Sequence, residues 1–155
     1  MKKFSNLLVA SFLFLSIASC SSDEESAPTN VITDESGIKI DLDWSAGGTV
    51  NDALRDADLD LYVYKDGVRV LKSERASEFE RIQFDPNLYA DGTYTVAIFL
   101  YSTTKNVNYT ATVNGVRVSK PYTFTSTFAA NDEQRMVDGL TIVKAGSKYT
   151  ITEAN

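Results

Sequence analysis

Histidine is absent from this chain. With it go the commonest general base near neutral pH and the commonest metal-binding side chain. No Ser–His or Cys–His nucleophilic pair can be assembled. Cysteine occurs once, at Cys20. A single thiol excludes an intramolecular disulfide and any cysteine-based zinc site. Positive charge is also in short supply, with 15 Lys and Arg against 21 Asp and Glu and a net charge of −6. That balance argues against nucleic acid, whose phosphates need a basic patch, and against anionic lipid headgroups. No glycine-rich loop of the kind that cradles phosphate is present.

The one long apolar run, residues 7–18, is shorter than the roughly 20 residues that a spanning helix needs. It follows Met1-Lys2-Lys3 and ends in small residues, the pattern of a secretory signal peptide over residues 1–19. Ile17-Ala18-Ser19-Cys20 resembles a bacterial lipobox. The resemblance implies cleavage before Cys20 and acylation of its thiol. Stable anchoring takes more than one acyl chain, so a multiply acylated Cys20 would tether the protein firmly. Ser21-Ser22-Asp23-Glu24-Glu25 resembles the acidic export signal of Bacteroidetes-type surface lipoproteins, which implies an outer-membrane lipoprotein facing the exterior. Residues 20–33 are polar, carry Pro28 and lack periodicity, as expected of a flexible linker.

From residue 34 onward the pattern is that of strands. Residues 37–44 place Ile38, Ile40, Leu42 and Trp44 on one face. In residues 58–64, Leu59, Leu61 and Val63 alternate with Asp58, Asp60, Tyr62 and Tyr64, the period of a half-buried strand. Asp66-Gly67 joins that run to 68–71 as a tight hairpin. Residues 79–84 form a further strand with Glu80, Ile82 and Phe84 on one side. The run 93–101 is apolar on both faces in its second half, as in a central strand covered on each side. Asn114-Gly115 reads as a hairpin between 108–113 and 116–118, and residues 122–128 alternate again. Residues 129–138 are polar, with room for a helical turn, and a last hairpin joins 140–144 to 148–152. Eight or nine short strands with frequent turns indicate an all-β, jelly-roll-like antiparallel β-sandwich over residues 34–155.

Trp44, Ala57-Asp58-Leu59-Asp60-Leu61-Tyr62-Val63, Phe84-Asp85, Gly92-Thr93-Tyr94-Thr95-Val96 and Asn108-Tyr109-Thr110-Ala111 occur in that order. Together they resemble the bacterial pre-peptidase C-terminal (PPC) and YfaP-type β-sandwich. The resemblance implies an accessory domain of the sort attached to secreted enzymes, some of which bind polymers or calcium. No catalytic domain accompanies it in this sequence.

Two groups of residues are candidates for a site. Asp52, Asp56, Asp58 and Asp60 are the first, because calcium takes six to eight oxygens, largely from carboxylates and carbonyls. If the strands holding Asp41 and Asp43 and Asp58 and Asp60 paired, like charges would face one another and call for a cation or donors. Capping of loop N–H groups by Asp58 or Asp60, or the pairing of either with Arg55 or Arg81, would explain them without a metal. The second group is Tyr62, Tyr64, Phe99 and Tyr101, which fall opposite the obvious core residues and suit sugar rings or a protein partner. The expectation is a non-enzymatic, surface-exposed binding or accessory module for polysaccharide or protein, with calcium support. The alternatives are an assembly partner of another envelope protein and, remotely, a small carboxylate-dependent glycoside hydrolase.

Overall fold

The structure is a computed structural model that describes residues 29–154. The leader, Cys20 and the acidic segment behind it lie outside the described residues. Ten strands and one short helix follow in the order β1 (Val31–Thr33), β2 (Ile38–Ser45), α1 (Val50–Asp56), β3 (Ala57–Lys65), β4 (Val68–Ser73), β5 (Phe79–Phe84), β6 (Gly92–Thr103), β7 (Val107–Gly115), β8 (Tyr122–Phe128), β9 (Arg135–Ala145) and β10 (Lys148–Glu153). They build two antiparallel sheets. The six-stranded sheet has the order β1-β10-β9-β6-β3-β4 and the four-stranded sheet the order β5-β2-β7-β8.

Period-two alternation decides which side chains enter the space between the sheets. Ile38, Ile40, Leu42 and Trp44 of β2 meet Leu59, Leu61 and Val63 of β3, with Val96, Ile98 and Leu100 of β6 and Val107, Tyr109, Ala111 and Val113 of β7. Aside from the hairpins β3–β4, β7–β8 and β9–β10, every connection crosses from one sheet to the other. The β3–β4 turn has the left-handed backbone that its sequence demands, with φ of 51° at Asp66 and 76° at Gly67. Gly37 turns β1 into β2 at φ 92°, and a Cβ there would lie 2.1 Å from the Phe84 carbonyl oxygen.

Three expectations change. The stretch expected to be linker already contains β1, whose Val31, Ile32 and Thr33 pair with Thr150, Tyr149 and Lys148 of β10. The strand runs through Asn114-Gly115, and its hairpin closes later, with residues 116–121 forming the connection to β8. Asp34 holds that longer loop from beneath, which explains why 116–118 is not a strand. Its carboxylate accepts hydrogen bonds from the N–H groups of Arg117 (2.6 Å) and Val118 (2.8 Å), and from that of Ser36 (2.8 Å). Thirdly, residues 135–138 belong to β9 and carry no helical turn, because Met136, Val137 and Asp138 continue the ladder with β6.

Candidate functional site: an aromatic row beside buried carboxylates

Strands β3 and β6 are neighbours in the six-stranded sheet, with Tyr62 opposite Ala97 and Asp60 opposite Phe99. Their core-facing residues are fixed by the sandwich, so the alternate residues must look outward. This register gathers all four expected aromatics into one row. Tyr64 and Tyr62 have ring centroids 6.4 Å apart, Tyr62 and Phe99 6.2 Å, and Phe99 and Tyr101 6.5 Å. Tyr62 is buried at the centre of the row, whereas Tyr101 is 54% exposed at its end. The Arg69 guanidinium from β4 lies 4.9 Å from the centroid of the Tyr62 ring, a cation–π arrangement that contributes to that burial.

A concavity of about 380 Å³ opens beside the row, lined by Asp58, Asp60, Tyr62, Glu74, Arg75, Ala76, Phe99 and Tyr101. A second, of about 230 Å³, lies along the same sheet face at Tyr64, Thr95, Met136 and Asp138. The Tyr62 hydroxyl stands between two carboxylates, 3.0 Å from Asp60 Oδ2 and 2.9 Å from Glu74 Oε1. A phenol has one proton to donate, so the two carboxylates compete for it. Burial pushes the Asp60 carboxyl above its ordinary range, and the bond from Tyr62 only partly offsets this. Burial alone raises Asp58, which has no hydrogen-bond or ion-pair partner among the described residues. Burial also raises the Tyr62 phenol, reinforced by its bonds to Glu74 and Asp60. The lining thus sets three carboxylates and the Tyr62 hydroxyl beside one cationic side chain, Arg75.

Glu74 and Arg75 come from the charged β4–β5 loop, which sequence reading does not connect to Tyr62. Glu74 is oriented by Lys72 Nζ at 2.6 Å. The end of the loop is held by Glu80, fully buried on β5, which accepts hydrogen bonds from the Ser73 hydroxyl and, at 2.7 Å, from the Arg75 N–H. The alternation that places Glu80 on the core face with Ile82 and Phe84 is the one available signal for this support.

The four aspartates expected to share a cation do not form one group. Asp52 accepts from the Thr49 N–H at the start of α1 (2.7 Å) and from Arg55 (2.7 Å). The Thr49 bonds, backbone first, and then Arg55 lower its carboxyl to about 2. Asp56 is held by Lys105 at 2.6 Å and Arg55 at 2.9 Å, and those bonds lower it as well. Only Asp58 and Asp60 reach the concavity. Among the described residues no cluster of three or more carboxylate, cysteine or histidine side chains is arranged to hold a metal ion. The expected facing of Asp41 and Asp43 against Asp58 and Asp60 is also absent, because β2 and β3 belong to different sheets. Asp41 instead forms a two-pronged pair with Arg81 across β2 and β5, at 2.5 and 2.8 Å.

Comparison with protein-family models, with curated proteins and with solved structures yields no match. The likeness to the PPC and YfaP-type sandwich thus rests on the sequence motifs.

Proposed function

We propose that this protein is a non-enzymatic lipoprotein of the outer membrane, held outside the cell through acylated Cys20, whose sandwich binds an extracellular polysaccharide. The observation that carries the reading is the unbroken row Tyr64, Tyr62, Phe99 and Tyr101 alongside the carboxylates of Asp58, Asp60 and Glu74. Aromatic faces stack on the apolar faces of sugar rings, while carboxylates accept hydrogen bonds from hydroxyl groups. Concavities along one face of the row, in place of a single enclosed hole, suit an extended chain over a lone monosaccharide.

Glycoside hydrolysis needs one carboxyl raised and its partner kept ionised. Burial raises Asp58 and Asp60, while Lys72 and Tyr62 hold Glu74, across the Tyr62 hydroxyl from Asp60, below its ordinary range. The reading of binding without turnover therefore rests on the aromatic row and the open concavities, and an assay for released reducing ends decides it. A glycan array probed with the protein tests the reading. Retention of one class of polysaccharide is expected, with Tyr101→Ala and Phe99→Ala each weakening it by about tenfold, the loss of a good stacking contact. Tyr101 is largely exposed, so its substitution should change stability by less than about 1 kcal/mol. Binding that survives both substitutions, or reducing ends released from the bound glycan, would overturn the proposal. Incorporation of labelled palmitate into the wild type and not into Cys20→Ala checks the anchor.

A further inference from the structure

Each sheet ends in two edges, β1 and β4 on the larger and β5 and β8 on the smaller. An edge strand offers a row of unpaired N–H and C=O groups, and proteins guard such rows with charge, brevity or irregularity. Three of these edges are guarded. β1 has three residues. β4 carries Arg69 and Lys72, and a bulge interrupts its pairing with β3. β5 carries Glu80 and Arg81. β8 has no such device: its seven residues, Tyr122-Thr123-Phe124-Thr125-Ser126-Thr127-Phe128, include no charge, glycine or proline. Thr123, Thr125 and Thr127 are exposed, and Tyr122 and Phe124 are half-buried at the rim of the core.

We propose that β8 is where two copies of this chain pair, antiparallel about a twofold axis at Thr125, fusing their four-stranded sheets into one. The sequence is self-complementary about that axis. Thr123 comes to lie opposite Thr127 of the partner subunit, and Thr125 opposite Thr125 of the partner subunit. Directly opposed threonines are a favourable cross-strand pair. Tyr122 and Phe124, short of cover in the single copy, gain it from the extended inner face. A second copy is favoured over a strand of another protein by that symmetry of the threonines about Thr125. Two acidic chains repel over most of their surfaces, and β8 is, among the described edges, the one full-length strand that adds no charge to that repulsion. An isologous contact of this kind closes at two subunits.

Cross-linking of the full chain in the membrane of producing cells tests this, independently of any ligand. Thr125→Cys places two thiols within reach of each other across the axis. Mild oxidation should convert it to a dimer of twice the protomer mass, at least about tenfold above both the wild type, with Cys20 alone, and Lys148→Cys on the distant β9–β10 hairpin. Adding Thr123→Lys with Thr127→Lys opposes like charges and should abolish the dimer. Adding Thr123→Lys with Thr127→Glu opposes unlike charges and should retain it. A Thr125→Cys yield no higher than the controls, an adduct to a different protein, or a dimer indifferent to the two-lysine variant would each overturn the proposal. Unchanged protease resistance of the variants shows that loss of the dimer is not loss of the fold.

Discussion

Replacing Asp34 by alanine removes the side chain that, among the described residues, ties the β1–β2 turn to the β7–β8 loop. The carboxylate is 4% exposed and takes three backbone N–H donors at 2.6–2.8 Å. Hydrogen bonds to a charged acceptor are worth about 1.5–3 kcal/mol each, but three on one carboxylate are not additive. A loss of about 3–5 kcal/mol is therefore expected, near the upper end for a point substitution. In a domain of this size that lowers the melting temperature by about 10–20 °C. Asp34→Asn, which keeps an acceptor oxygen and gives up the charge, should lose roughly half as much. The pH dependence separates charge from shape. Burial raises the Asp34 carboxyl, but its bonds from Val118, Arg117 and Ser36 outweigh this and leave it below its ordinary value of 3.8. A lowered folded value means that the stabilisation is fully present above the unfolded pKa and is lost as pH falls through the folded one. The gap between wild type and Asp34→Asn in thermal melts should therefore be constant from neutral pH down to about 5 and close in stronger acid. A gap under about 1 kcal/mol at neutral pH, or one that persists unchanged into strong acid, would refute the reasoning.

Three further outcomes follow from the same geometry. Gly37→Ala combines a left-handed backbone with a Cβ 2.1 Å from a carbonyl oxygen, so chemical denaturation should register a loss of more than about 3 kcal/mol. Burial raises the Glu80 carboxyl, its bonds from Ser73 and Arg75 only partly opposing it. The native state thus holds that proton more tightly than the unfolded chain, and Glu80 withdraws stability as pH rises through its folded value. Glu80→Gln should accordingly raise the melting temperature at neutral pH relative to wild type, with the difference vanishing in acid. Calcium and EDTA should leave the melting temperature within about 1 °C of each other, because ligands stabilise only in proportion to native-state binding. A calcium-dependent rise would refute this and place a cation at Asp58 and Asp60.

The core strands are legible in the sequence because a buried face imposes a period of two, and β2, β3 and the Asp66-Gly67 turn all obey it. The aromatic row is half legible. Alternation puts Tyr62 and Tyr64 on one face and Phe99 and Tyr101 on another strand's outer face, but their meeting depends on β3 and β6 being neighbours, a long-range pairing that periodicity does not encode. The same blindness misplaces Asp41 and Asp43 beside Asp58 and Asp60, since β2 and β3 lie in opposite sheets. The role of Glu74 is hidden for a different reason: a charged loop has no period, and only the position of Tyr62 beneath it gives Glu74 a partner. Asn114-Gly115 misleads because a strong local turn signal yields to Asp34, which arrives from 80 residues earlier in the chain and holds the following loop open.

The three-residue strand β1 decides how the molecule bears a pull. Asn30 adds to it, accepting from the Ile151 N–H at 2.8 Å and donating through its amide to the Ile151 carbonyl at 3.1 Å. Force entering at the chain's N-terminal end therefore passes first into β10, then across β9 and β6 to β3, where the tyrosine and phenylalanine rings sit. Along that route the strain is shared by successive hydrogen-bonded ladders within one sheet. On the proposed function, a pull between the Cys20 anchor and a ligand on the aromatic row would thus load these ladders, alongside the covalent path from β1 into β2 of the other sheet.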